Sequence, residues 1–243
     1  MTAISSLNSN ISLDNLYNNF QIAETFPFIQ HGSHGVKGES IKSKRKSRKP
    51  VKKKTFFNQV TLHVYCDKLV NVKLFNNGKI QMTGLKYEDH GQKVLDKIVS
   101  YIKELDRANE TTVFDHRDII CMPMNIVLIN SDFAMGYTIR RDILHHEIVE
   151  AGLYSSYEPC IYPGVNIKYY FNSNQDNGIC QCSTMCDGKG DGISDGGCKR
   201  ITVAVFKSGK TIITGARSRE QLELSYYFIT KFINDRKETI ELL

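Results

Sequence analysis

The stretch "VFKSGKTIITGAR", Val205 to Arg217, has a counterpart in the first half of the chain, "LFNNGKIQMTGLK", Leu74 to Lys86. Six positions recur in register: Phe75/Phe206, Gly78/Gly209, Lys79/Lys210, Thr83/Thr214, Gly84/Gly215 and Lys86/Arg217. A phrase written twice implies a structural unit built twice, and such self-similarity decides the fold before any other reading.

The two halves follow one order of elements. A Ser/Asn-rich strand opens each, "AISSLN" and "MNIVLINS", followed by a short helix from Ser12 or from Arg140. Ser12 is a suitable N-cap, and Asp14 in the first turn suits the helix dipole. An aromatic-proline corner comes next, Phe26-Pro27 and Tyr162-Pro163, then β-like runs and a long amphipathic helix. In the first long helix Val94, Leu95, Ile98, Val99, Ile102 and Leu105 form one stripe; in the second, Leu222, Tyr226, Ile229, Phe232 and Ile233 do so. The expected organisation is a first repeat over 1–106, a polar linker over 107–118 and a second repeat over 119–243.

Alternation along "ITVAVF" and "TIIT" sends Ile201, Val203, Val205 and Ile213 toward the helices. Thr202, Ala204, Phe206, Ile212 and Thr214 are left on the other face, which is nearly uncharged and partly apolar. A sheet face of that composition is expected to be covered by a partner. A further helical layer or a second copy of the chain would serve as well as a ligand.

The chain has 243 residues and a net charge of +6. Nine of its basic residues lie between Lys42 and Lys54, so the remainder is net −3. The seven cysteines are an odd number, which argues against a disulfide scaffold. With no bilayer-length apolar run and no signal-like N-terminus, an intracellular location is expected.

The words "YEPCIYPG" (Tyr157 to Gly164), F-x-S-G-K and T-G-A-R, echoed once upstream, resemble the TATA-binding protein (TBP) family. The likeness covers most of the second half and is weaker but collinear in the first; it is that of a divergent member, of the kind a large DNA virus carries. It implies an α+β fold: a saddle of ten antiparallel strands with helices on the convex face and the DNA minor groove beneath the concave one. The family is itself a standard example of minor-groove binding with apolar wedges.

By that resemblance the wedges fall at Phe26 with Phe75 and at Tyr162 with Phe206. The groove-reading Asn falls at Asn125, with its first-repeat counterpart near Thr2. Val127, Ile212, Thr214, Thr83 and Ile4 take groove-floor positions. Lys79, Lys86, Lys168, Lys210 and Arg217 take phosphate contacts, and Glu158 the contact with general transcription factors that bridge to RNA polymerase. Promoter DNA of TATA type and those factors are the implied partners, and no membrane is. Several features depart from the pattern: the hydroxyl of Tyr162 at a wedge position, Asn71, Lys73 and Gln81 on the first repeat's outward face, and Cys160 where the family is usually acidic. They leave open a TBP-fold interaction scaffold that has lost most sequence-specific DNA binding.

Two insertions, about 33–55 and about 172–199, are expected at matched places between the third and fourth strands of each repeat. The first holds the basic run, read as a nuclear address or as a mobile arm that adds phosphate contacts. The second places Cys180, Cys182, Cys186 and Cys198 among glycines, a set that suits a structural zinc, free thiols or a disulfide hairpin. No cofactor is required by the reading. His146 and Glu150 share a helix face, but the second His of H-E-x-x-H is missing, and no phosphate loop or nucleophile elbow is present; no catalysis is expected.

Overall fold

A computed structural model describes residues 1–40, 56–108, 112–116, 118–175 and 177–242. The basic run Lys42 to Lys54 and part of the linker lie outside the described residues. The chain forms two compact units, Met1–Val127 and Leu128–Leu243.

The first unit runs β1 (Thr2–Ser6), α1 (Leu13–Asn19), β2 (Phe28–His31), β3 (Gly35–Gly38), β4 (Gln59–Cys66), β5 (Lys68–Phe75), β6 (Lys79–Thr83) and α2 (Glu88–Ala108). Its strands lie in the order β3-β2-β4-β5-β6-β1, with every pair antiparallel. Ser12 caps α1 by accepting the Asn15 N–H. Strand alternation puts Val60, Leu62, Val64, Val70, Val72 and Leu74 in one buried cluster with Val94, Leu95, Ile98, Ile102 and Leu105 of α2. The expected stripe of α2 is observed, with Val99 only partly buried at its margin.

Strand β7 (Asn125–Ala134) starts within the first unit and runs on into the second. There follow α3 (Arg141–Glu150), β8 (Tyr154–Ser156), β9 (Val165–Phe171), β10 (Lys199–Val205), β11 (Lys210–Ala216), α4 (Arg219–Asp235) and α5 (Lys237–Ile240). The antiparallel order is β7-β11-β10-β9-β8. The buried stripe of α4 departs from expectation: Gln221 and Ser225 are buried with Ile229, Phe232 and Ile233, while Tyr226 is exposed. Gln221 is drawn inward because its side chain accepts the Arg217 N–H and donates to the Asp191 carbonyl.

Two further differences concern strands and insertions. Eleven strands are present among the described residues, against ten expected, because β3 adds an edge strand beside β2. The insertions are also not at matched places. The basic one follows the β2–β3 hairpin, whereas the Cys-rich one joins β9 to β10. The corresponding first-unit connection, β4 to β5, is a tight turn at Asp67 with φ +57°. Counting strands hides this, because β3 makes both insertions fall between a third and a fourth strand.

The repeated phrase owes its recurrence to backbone geometry. Gly78 and Gly209 have φ +77° and +76°, and Gly84 and Gly215 have φ +99° and +102°. A Cβ at Gly209 would lie 2.2 Å from the Tyr137 carbonyl oxygen, and one at Gly78 2.3 Å from that of Ser9. Gly136 also has positive φ but meets nothing within 4 Å. Gly209→Ala should therefore cost about 2 kcal/mol or more in urea unfolding, and Gly136→Ala about 1 kcal/mol. Equal losses would show that the close approach to Tyr137 is unimportant.

Candidate nucleic-acid interface

The side chains opposite the helix-facing set form cross-strand rows. In the second unit one row runs Asn130, Thr214, Thr202, Lys168, Tyr154. Thr214 Oγ1 donates to Asn130 Oδ1 at 2.7 Å, and Lys168 Nζ donates to Thr202 Oγ1 at 2.9 Å. These bonds fix side chains that are half-buried or exposed. The adjacent row runs Asp132, Ile212, Ala204, Asn166, Ser156. Burial, with Arg200 nearby, holds the Lys168 ammonium below its ordinary pKa. Lys199 is lowered by burial too, with Arg217 and Arg200 adding to it.

At one end of this face Tyr162 meets Phe206 edge-on, with ring centroids 5.8 Å apart. Gly164 makes the corner possible, since a Cβ there would lie 2.9 Å from the Tyr162 ring. Ile161, next to Tyr162, is 81% exposed. Phe206, Lys210 and Ile212 line one hollow with Asn130 and Asp132. Lys210 and Arg217 are exposed at the two ends of β11.

The first unit has equivalent rows with different side chains. One runs Thr2, Thr83, Asn71, His63, Phe28; the next runs Ile4, Gln81, Lys73, Thr61, Gln30. Lys73 and Gln81 thus stand directly opposite each other. Phe28 stacks on His63 at 4.4 Å, so the outer end of the face is aromatic. Phe75, Ile4, Lys79, Gln81 and Asn125 line one hollow. Val127 is half-buried, and Lys79 and Lys86 are exposed.

Phe26 corrects an expectation. It is 5% exposed and belongs to the core cluster, stacked on Tyr101 at 4.3 Å and edge-on to Phe20 at 6.0 Å. It cannot wedge into a base stack from that position, because the packing against α2 holds its ring inside. Of the first-repeat pair, only Phe75 faces outward.

Glu158 is exposed on the loop after β8, where its carbonyl accepts the N–H groups of Ile161 and Tyr162. Neighbouring Tyr157 lies under the Arg141 guanidinium, 5.3 Å from ring centroid to charge, and Arg141 also reaches the Pro163 carbonyl. This fixes the corner on α3.

Sequence reasoning missed Asn130, Asp132, Ile161 and Arg200. The polar alternation Asn130, Asp132 along β7 was the available signal, and it gives the face one acid that reading β10 and β11 alone does not show.

Two groups of metal-ligating side chains occur among the described residues. Cys180, Cys182, Cys186 and Cys198 bring their four sulfurs within 4.8 Å of one another. All are free thiols, and burial pushes the Cys198 thiol well up. Asp14, His31 and His34 form the other group, in which Asp14 Oδ1 lies 2.7 Å from His34 Nε2 and 3.6 Å from His31 Nδ1. His146 and Glu150 are exposed on α3 and belong to neither.

Residues 126–235 match the family model described as transcription factor TFIID, or TATA-binding protein. The structure resembles that of Methanococcus jannaschii TBP with a TM-score of 0.55, covering 96% of this chain and 95% of that one at 17% identity. A TATA-box-binding protein-like protein of Acanthamoeba polyphaga mimivirus is 26% identical over 213 residues, covering 82% of this chain. Residues 126–235 thus carry the match to the TBP family, and the chain as a whole is similar to TBP-like proteins. Its α+β fold is the TBP-like one that the sequence led us to expect. The chain spans about half, 53%, of the length of the mimivirus relative.

Removing Phe26 should act on the fold and removing Phe206 on the surface. Phe26→Ala should cost about 3–5 kcal/mol in urea unfolding, as for a filled core site. Phe206→Ala, at a half-exposed strand end, should cost about 1 kcal/mol. The reverse order would return Phe26 to the surface.

Proposed function

We propose that the chain is a TBP-like, DNA-binding transcription initiation factor that takes promoter DNA of TATA type in its minor groove, bends it and recruits other factors. The observation that carries this reading is the second unit's outward face: the Tyr162–Phe206 pair beside Ile212, the hydrogen-bonded row Asn130, Thr214, Thr202, Lys168, and exposed Lys210 and Arg217 at the margin. The minor groove offers only acceptors in A·T pairs and a degenerate code, so a face of modest polarity whose Asn, Thr and Lys side chains can donate suits its floor. Aromatic wedges at the strand end would unstack a flexible pyrimidine–purine step, and the marginal cations would neutralise phosphates. Glu158 is the proposed contact for a general transcription factor.

On this reading the second unit leads. Buried Phe26 and the Lys73–Gln81 pair leave the first unit one outward wedge and a more polar floor, and the net −3 outside the basic run works against non-specific affinity. The same features favour the alternative, a TBP-fold scaffold for protein partners with little sequence-specific DNA binding. The proposed role for the basic run is long-range attraction of DNA.

Wedging and charge neutralisation separate experimentally. Phe206→Ala should reduce the bend of a TATA duplex, read by energy transfer between end labels, with the salt dependence of binding unchanged. Lys210→Ala should lower the slope of log K against log salt by about 1. Deleting residues 42–54 should lower it further and leave the bend intact. Bend and affinity falling in proportion in all three variants would contradict this division of labour. Failure of the wild-type chain to bind duplex DNA at low salt would favour the scaffold.

A further inference from the structure

We propose that Cys180, Cys182, Cys186 and Cys198 bind one structural zinc ion, which organises the insertion between β9 and β10. A tetrahedral tetrathiolate site with Zn–S of about 2.3 Å requires sulfurs about 3.8 Å apart. Cys198 Sγ lies 3.3 Å from Cys182 Sγ and 3.8 Å from Cys180 Sγ, and all four sulfurs fall within 4.8 Å of one another. The sulfurs therefore surround one centre. A disulfide hairpin would instead separate into pairs, and here Cys198 is shared between two neighbours.

The surroundings are also those of a metal knuckle. Asn172 Nδ2 lies 3.7 Å from Cys198 Sγ. Such an N–H···S bond disperses the negative charge of a thiolate and orients it, as outer-shell groups do around metals. Gly188, two residues after Cys186, has φ +71°, and a Cβ there would lie 2.6 Å from Cβ of Arg200. The insertion contributes little apolar core of its own, so ordering it requires a cross-link.

Cys198 is fully buried and directly precedes β10, so the ion would sit where the insertion meets the sheet. Backbone bonds continue the attachment: Tyr170 N–H to the Gly178 carbonyl, Arg200 N–H to that of Gly188, and Ser173 N–H to that of Gly192. Asp195 closes the loop by accepting from both the N–H and the hydroxyl of Ser183 and of Thr184. Four thiolates complete the coordination and leave no position for a substrate water, so the role is structural. The assignment does not depend on the DNA-binding proposal.

The full chain, purified under reducing conditions, should carry one zinc per molecule by elemental analysis. Replacement with cobalt(II) should give the visible d–d bands and near-ultraviolet thiolate-to-cobalt charge transfer of a tetrahedral tetrathiolate. Cys180→Ser should lower zinc retention against a chelator by about tenfold or more, and Cys160→Ser, at an exposed thiol elsewhere, should leave it unchanged. The cobalt spectrum needs no variant, so the proposal stands to be tested even where a substitution unfolds the insertion. Metal-free protein in which the four insertion cysteines are all free thiols, an intramolecular disulfide found by mass spectrometry, or a red, iron-loaded protein would each overturn it.

Discussion

Period-two alternation is the constraint on which the structure depends. An antiparallel strand that sends every second side chain to a helix must send the others to the opposite side. In the first unit the helix side is filled by fully buried residues such as Val60, Leu62, Val72 and Leu74 packed with α2. The other side is then free to carry chemistry without disturbing the core. In the second unit it carries Asn130, Thr214, Thr202 and Lys168 in one row and Ile212 with Ala204 in the next. Apart from buried Ala204 these side chains are half-buried or exposed, and two hydrogen bonds hold the polar row in place.

The two units use that freedom differently. The second sets its aromatic pair at the end of the outward face, on a corner held by Gly164 and by Arg141. The first turns Phe26 inward onto Tyr101 and spends its outward positions on Lys73, Gln81 and a Phe28–His63 stack. The order of the shared strands is kept while the side chains of the outward face are changed. A cysteine knuckle at the start of β10 and a basic run after β3 add further differences at unlike positions.

Much of this was legible in the sequence where local stereochemistry decides. The repeated phrase marks four glycines at matching positive φ, and the stripe of α2 follows from spacing. The TBP-like character was legible from words of fixed type around the Tyr162 corner and the Gly209 turn. What escaped were features set by tertiary neighbours. Phe26 reads as an exposed corner aromatic until Phe20 and Tyr101 are seen to enclose it. The stripe of α4 turns on a glutamine whose partners, Arg217 and Asp191, lie outside the helix. Asn130 and Asp132 belong to a strand whose period is clear but whose opposite neighbour in the sheet is not. The four cysteines could be grouped by composition, whereas their convergence on one centre required the loop to be folded.

Binding and bending of a short TATA-containing duplex against a GC-rich one, at two salt concentrations, tests the central claim most directly. If the second unit's outward face is a minor-groove surface, the A·T-rich duplex is preferred and its bend persists at the higher salt. Equal, weak binding to both duplexes that vanishes with salt would contradict it, leaving the chain's positive charge as its only hold on DNA.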